Sequence, residues 1–395
     1  MVIMTRGGTS SSHFKPTATT ARALCFGLLL FALFHGSSEA FLNKNKKKVK
    51  PLDLPPSPDL QDKEVIAETR RLFSALVTAI SNGNSVPLPA TKYPEKVDIG
   101  VFGIFVMLCL AFNWGVRLVV VEPVAKVLLH GPPEKSCSAA KLQIKCQKFA
   151  QAFMEMIFYG AFSIFGYILV MSQDWFWPSS KWWDGFAETD ATGRSLHSYM
   201  TDALAGYYIL YAARYLQGAV SVCLEHKRKD FVEMQIHHLV TFLLVVISYA
   251  YGWNRVGAVI MLNFDPADVP LHTAKMLKYL GERRCTKAEN AFALLADVFF
   301  VLFMILFFGT RVVLHGYICW SAHIEATRYF PKFAAEWTCV ALLYMLLCLQ
   351  LYWGHLIVKV LVKLALTGHV EDNRSDDEEE VPKENKEAIA RKKAQ

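Results

Sequence analysis

The chain has 395 residues, of which 53% are hydrophobic, with a formal net charge of +7 and a mean hydropathy of +0.25. So much apolar sequence excludes an ordinary water-soluble domain. No phosphate-cradling loop and no internal repeat is present, no nucleic-acid partner is indicated, and the 9 cysteines are scattered without zinc spacing or a disulfide framework.

In chain order, residues 1–40 read as a secretory signal peptide or, if uncleaved, a signal anchor. Arg6, Lys15 and Arg22 precede an apolar run at 23–34 that is too short to span a bilayer, and Ser38 and Ala40 supply the small residues of a cleavage site. Residues 41–99 form a linker, with a basic run at 44–50, a proline-rich stretch at 51–58 and an amphipathic helix over 64–80. That helix carries Val65, Ile66, Thr69, Leu72, Phe73, Leu76 and Ile80 at helical spacing, and Asn82-Gly83 stops it. It is expected to pack on the domain or on the membrane surface.

Apolar runs of about 20 residues read as membrane helices. They fall at 101–121, 149–171, 203–224, 238–253, 256–276, 291–314 and 338–366, so the fold class is all-α, a polytopic membrane protein with about seven transmembrane helices. Lysines and arginines gather in the loops at 131–148, 225–230 and 277–287, which should therefore be cytosolic. The acidic loop 172–202 carries Trp175, Trp177, Trp182 and Trp183, rings suited to a membrane-interface belt. These biases give a luminal segment before the first span and a cytosolic carboxyl end. Arg214 and Asp297 are intramembrane charges that could pair with each other or face a cavity.

The stretch 228–275 is the richest in chemistry. His237 and His238 open one apolar run, a Gly-Trp-Asn turn follows, and the next run carries Asp265 and Asp268. Titratable groups inside lipid-facing sequence are costly and mark sites. With the turn near Trp253, helical rise puts His238 level with Asp268, and Thr241 level with Asp265. Two imidazoles facing two carboxylates can handle protons: a carboxylate orients a ring and raises its basicity. Pro266 and Pro270 should kink the second run.

The same stretch resembles the Lag1 motif of ceramide synthases, within the wider family of TLC-domain membrane proteins. The matching residues are His237, His238, Thr241, Ser248, Tyr249, Asn254, Arg255, Gly257, Asp265, Asp268, Leu271, Ala274 and Lys275. Phe264 stands where the family usually has a histidine, and His272 where an acidic residue is common. The resemblance covers roughly 100–380. It implies a TLC-domain helical barrel or bundle over 100–368 and acyl transfer from acyl-CoA to the amine of a sphingoid base. His237, His238, Asp265 and Asp268 would be catalytic, and Thr241, Ser248, Asn254, Arg255 and Lys275 would bind substrate. A histidine would act as general base or form an acyl-imidazole. No metal or cofactor is required beyond acyl-CoA as co-substrate. The implied partners are acyl-CoA, the sphingoid base, the lipid bilayer and a second copy of the chain. In the family, the luminal loop before the last span, here about 315–335, is linked to chain-length choice.

The tail, 369–395, is acidic and then basic. Ser375, followed by acidic residues, is a candidate phosphorylation site, and Lys392-Lys393-Ala394-Gln395 matches the dilysine address for the endoplasmic reticulum membrane. The rival reading is a TLC-domain protein that binds or senses lipid without catalysis, which Phe264 favours. A proton-relay transporter lacks the inverted repeat such proteins carry.

Overall fold

The computed structural model describes residues 58–83, 89–130, 139–225, 230–281 and 287–367. The signal, the basic and proline-rich run, the loop charges at 227–229 and 283–284, and the tail with Ser375 and its dilysine end lie outside these residues. Contacts group the chain into a main unit, 56–217 with 228–395, and a second unit that includes 218–227. The interactions below belong to the main unit. Among the described residues no strand occurs, only the isolated bridges Lys92–Met200 and Thr189–Ser195.

Helix α1, Pro58–Ser81, is the expected amphipathic helix. It stops where Gly83 takes a φ of +60°, a left-handed conformation that glycine adopts without strain. Leu72, Leu76 and Ala79 are buried, and the helix packs on α2, so it sits on the domain. A buried ion pair clasps it there: Lys92 Nζ lies 2.8 Å from Glu68 and 2.9 Å from Asp98, and Tyr249 donates to Asp98 at 2.9 Å.

Helix α2, Val97–Leu129, buries Val101, Phe105, Cys109, Asn113, Arg117, Val121, Ala125 and Leu129. A seam with this four-residue spacing drifts by about 40° per step around an ideal α-helix. The π-helical turn Arg117–Val121 has more residues per turn and partly reverses that drift. Then follow α3, Ala139–Val170; α4, Asp202–Leu224; α5, Phe231–Ala250; α6, Asn254–Phe264; and α7, Asp268–Gly281. The predicted kink between α6 and α7 is a 3-10 turn, Asp265–Ala267, with Pro266 in its first positions. Helix α8, Lys287–Leu306, runs through a π-helical segment, Phe307–Leu314, into α9, His315–His323; α10 is Ala334–Thr367.

Five described segments are long and apolar enough to cross a membrane: Val97–Leu129, Leu142–Val170, Phe231–Ala250, Ala291–Arg328 and Ala334–Val362. Two of the seven expected spans are not among them. In α4, Tyr207, Tyr208, Tyr211, Arg214, Tyr215 and Gln217 dilute the apolar composition, and the other span is divided by the 3-10 turn.

Three expectations are corrected. Trp182 and Trp183 are not belt residues but buried anchors of the loop, their indole N–H groups donating to Phe176 O and Ser321 Oγ at 2.9 Å each. Arg214 pairs with Glu155 of α3, while Asp297 is exposed on α8. The connection before the last helix is shorter than 315–335, because His315–His323 is helical and His315 is fully buried.

Candidate active site

His237 and His238 sit in the second turn of α5, and both are buried. As helix neighbours they project about 100° apart and meet different surroundings. Their ring centroids are 5.8 Å apart. Tyr215 of α4 packs against both, 6.0 Å from His237 and 5.7 Å from His238, so the three rings form a near-equilateral triangle. His237 also meets the edge of Trp353 on α10 at 5.4 Å. Neither histidine's Nδ1 has a hydrogen-bond partner among the described residues, nor does the buried hydroxyl of Thr241 one turn on. Buried polar atoms left in this way are uncommon, and a catalytic role is one of the reasons they occur.

The two carboxylates face different partners. Asp265 is 2% exposed and accepts a hydrogen bond from Tyr211 of α4 at 3.1 Å. Asp268 forms a buried ion pair with Arg311 of the π-helical segment. Arg311 also donates to the carbonyl of Phe264, from Nη2 at 2.8 Å and from Nε at 3.3 Å. The ring of Phe264 packs against His315 of α9, centroids 4.9 Å apart.

A narrow pocket joins part of this constellation. His238, Asp265, Tyr211, Tyr215, Arg214, Tyr159, Phe158 and Phe162 line it, and its free volume of about 10 Å³ is roughly that of one water. Thus His238 and Asp265 share a cavity. His237 and Asp268 lie beside it, not in its lining, which departs from the expectation of four groups around one space. The depth argument placed His238 opposite Asp268. The 3-10 turn, with its steeper rise, and the capture of Asp268 by Arg311 bring Asp265 to the pocket instead.

The remaining motif residues lie elsewhere. Ser248 donates to Val245 O at 2.9 Å. Asn254 donates to His197 O at 2.6 Å, and its own carbonyl accepts from Tyr208 at 2.7 Å. Arg255 donates to Lys181 O at 2.9 Å and Asp184 O at 3.3 Å. Asn254 and Arg255 tie the turn between α5 and α6 to the loop 172–201, the Ser248 bond stays within α5, and Lys275 is half-buried on α7; none of the four lines the pocket. Sequence reasoning missed Tyr211, Tyr215 and Arg311. The available signals were a tyrosine repeat at 207, 211 and 215 and an arginine inside an apolar span. Among the described residues no cluster of three or more His, Cys, Asp or Glu could hold a metal ion.

The TLC-domain family model matches residues 148–359, more than half of the chain and all of the pocket. The chain belongs to the TLC-domain family. Within this family it is similar to ceramide synthase 4 of Bos taurus, 28% identical over 235 residues, covering 59% of this chain and 55% of the relative. It is 30% identical to human ceramide synthase 5 over 231 residues, 58% of this chain and 54% of that one. It is 25% identical to the Alternaria stem canker resistance protein 1 of Solanum lycopersicum over 310 residues, 75% of this chain and 95% of that one. The chain therefore spans about half the length of these animal relatives.

Proposed function

We propose that this TLC-domain protein is a ceramide synthase, transferring a fatty acyl group from acyl-CoA to the amine of sphinganine or a related long-chain base. The observation that carries the reading is the pocket in which a buried imidazole, His238, and a buried carboxylate, Asp265, stand together between apolar helices. Relatives named ceramide synthase and sphingosine N-acyltransferase-like protein support the same class of chemistry.

A long-chain ammonium must lose a proton before it can attack. Neutral His238 accepts that proton, and the amine nitrogen bonds to the thioester carbonyl carbon. The carbon–sulfur bond breaks, the CoA thiolate leaves with the second proton that the nitrogen sheds as the amide forms, and His238 later releases the first to solvent. Asp265, held by Tyr211, stabilises the imidazolium formed on the way. The apolar walls of the pocket, Phe158 and Phe162, suit a hydrocarbon chain. Admitting one requires side chains to move, because the free volume is that of about one water.

Phe264 favours the rival, a lipid-binding protein without catalysis, because no proton can be carried at that position. Membranes bearing this chain, given acyl-CoA and sphinganine, distinguish the two. Dihydroceramide and free CoA in equal amounts are expected. If the parent is near silent and Phe264→His gains activity by a large factor, the protein is a catalytically impaired lipid binder instead.

A further inference from the structure

Between α6 and α7 the chain breaks stride at Asp265–Ala267, and that break sets where Asp265 points. What fixes it lies on another element. The π-helical segment Phe307–Leu314 widens the helix and turns Arg311, 8% exposed, toward the break. Two reciprocal contacts stitch them together. Asn263 Nδ2 donates to Thr310 O at 2.7 Å, and Arg311 Nη2 donates to Phe264 O at 2.8 Å. The stitched residues, Asn263 and Phe264, immediately precede Asp265. The Arg311 guanidinium also lies over the rings of Phe264 and Phe307, at 5.6 and 5.7 Å, so aromatic contacts hold it as well as its hydrogen bonds. A π-helical turn is rare and is frequently found at functional sites.

We infer that Arg311 is a positioning residue for the acyl transfer: it ties down the Phe264 carbonyl and thereby holds Asp265 in the His238 pocket, while Asp268 serves as its counter-ion and not as a second acid/base group. The inference rests on the acyltransferase reading above. A planar, five-donor guanidinium can serve carboxylate and carbonyl together; an ammonium on a lysine stem is a single point charge and serves one well. Asp265 is then clamped from two directions, by the backbone on the Arg311 side and by the Tyr211 hydroxyl on the other. A misplacement of about 1 Å in such a constellation can cost about 100-fold in rate.

The test compares three full-length proteins in membranes. Arg311→Ala alone can misfold, because it strands the buried Asp268 carboxylate. The double variant Arg311→Gln with Asp268→Asn removes both charges and keeps the shapes, so a folded protein is expected. If Arg311 merely neutralises Asp268, the double variant works at the parental rate. If it positions Asp265, kcat falls by about 10- to 100-fold while KM for either substrate stays within about twofold, and Arg311→Lys recovers only part of kcat. A folded double variant with parental kcat overturns the positioning role and leaves the acyltransferase reading intact. Equal rises in KM with kcat unchanged overturn it too, in favour of substrate binding. A parent that forms no N-acyl product overturns the acyltransferase reading, and this inference with it.

Discussion

The hairpin of α5 and α6 has two polar ends that look alike in sequence and differ in structure. At the turn end, Ser248, Asn254 and Arg255 spend their donors on backbone carbonyls, and Trp253 is wedged against Trp183 with ring centroids 5.0 Å apart. At the pocket end the carboxylates are held, Asp265 by Tyr211 and Asp268 by Arg311, but the imidazole Nδ1 atoms and the Thr241 hydroxyl are not. Trp253 Nε1 and His197 Nδ1 are exceptions at the turn end, the first on a ring packed edge-on against Trp183. Satisfied polar residues fasten a fold; those left available, with the residues around them fixed, can exchange protons. The turn end is a clasp and the pocket end the candidate site.

The largest expected effect comes from setting the ends against each other. His238→Ala should lower N-acylation by about 100- to 10,000-fold with little change in thermal stability. Asn254→Ala should do the reverse: leaving the His197 carbonyl buried and unpaired costs about 1–3 kcal/mol of stability, while the rate per folded molecule stays within a few-fold. Product formation and melting measured on the same preparations decide it. Equal rate losses at both positions would erase the distinction.

A smaller effect probes the clasp alone. A Cβ at Gly257 would run into the Tyr208 hydroxyl and sit 2.9 Å from Ser248 Oγ. Gly257→Ala should cost about 1–3 kcal/mol of stability. Removing the obstructing oxygen with Tyr208→Phe should recover part of that loss, although it gives up the hydrogen bond to the Asn254 carbonyl. Melting temperatures of the two singles and the double supply the coupling; strict additivity would mean the two residues do not meet.

The smallest effect depends on pH. His197, under the loop that Asn254 grips, is pushed down to about 4 by burial and by Arg255 nearby. In the unfolded chain it titrates near the ordinary histidine value, so between the two values the unfolded state binds more protons and stability rises with pH. Melting should therefore fall as pH drops below about 6.5, by about 1 kcal/mol at pH 5.5. His197→Gln, which keeps a donor for the Asp184 carbonyl, should flatten that dependence relative to the parent. An unchanged slope would place the sensitive group elsewhere.

The sequence by itself determined a great deal. Apolar run length and the 3.6-residue period fix which segments are helical, Asn82-Gly83 ends α1, and Pro266 breaks the helix between α6 and α7 because a proline has no donor to give it. Titratable residues inside apolar runs mark His237, His238, Asp265 and Asp268 as the place to look, because their desolvation cost is a local property that sequence carries. Tertiary structure alone decided which of them share a space. His238 and Asp265 meet because a 3-10 turn resets the rise and because Arg311, 43 residues after Asp268, takes that carboxylate for itself. It also decided that Arg214 answers Glu155 instead of Asp297, and that Trp182 and Trp183 are core. Such partners lie on different helices, and a side chain's facing around a helix follows from which neighbours pack on it, a quantity that hydropathy and spacing along one strand of sequence do not contain.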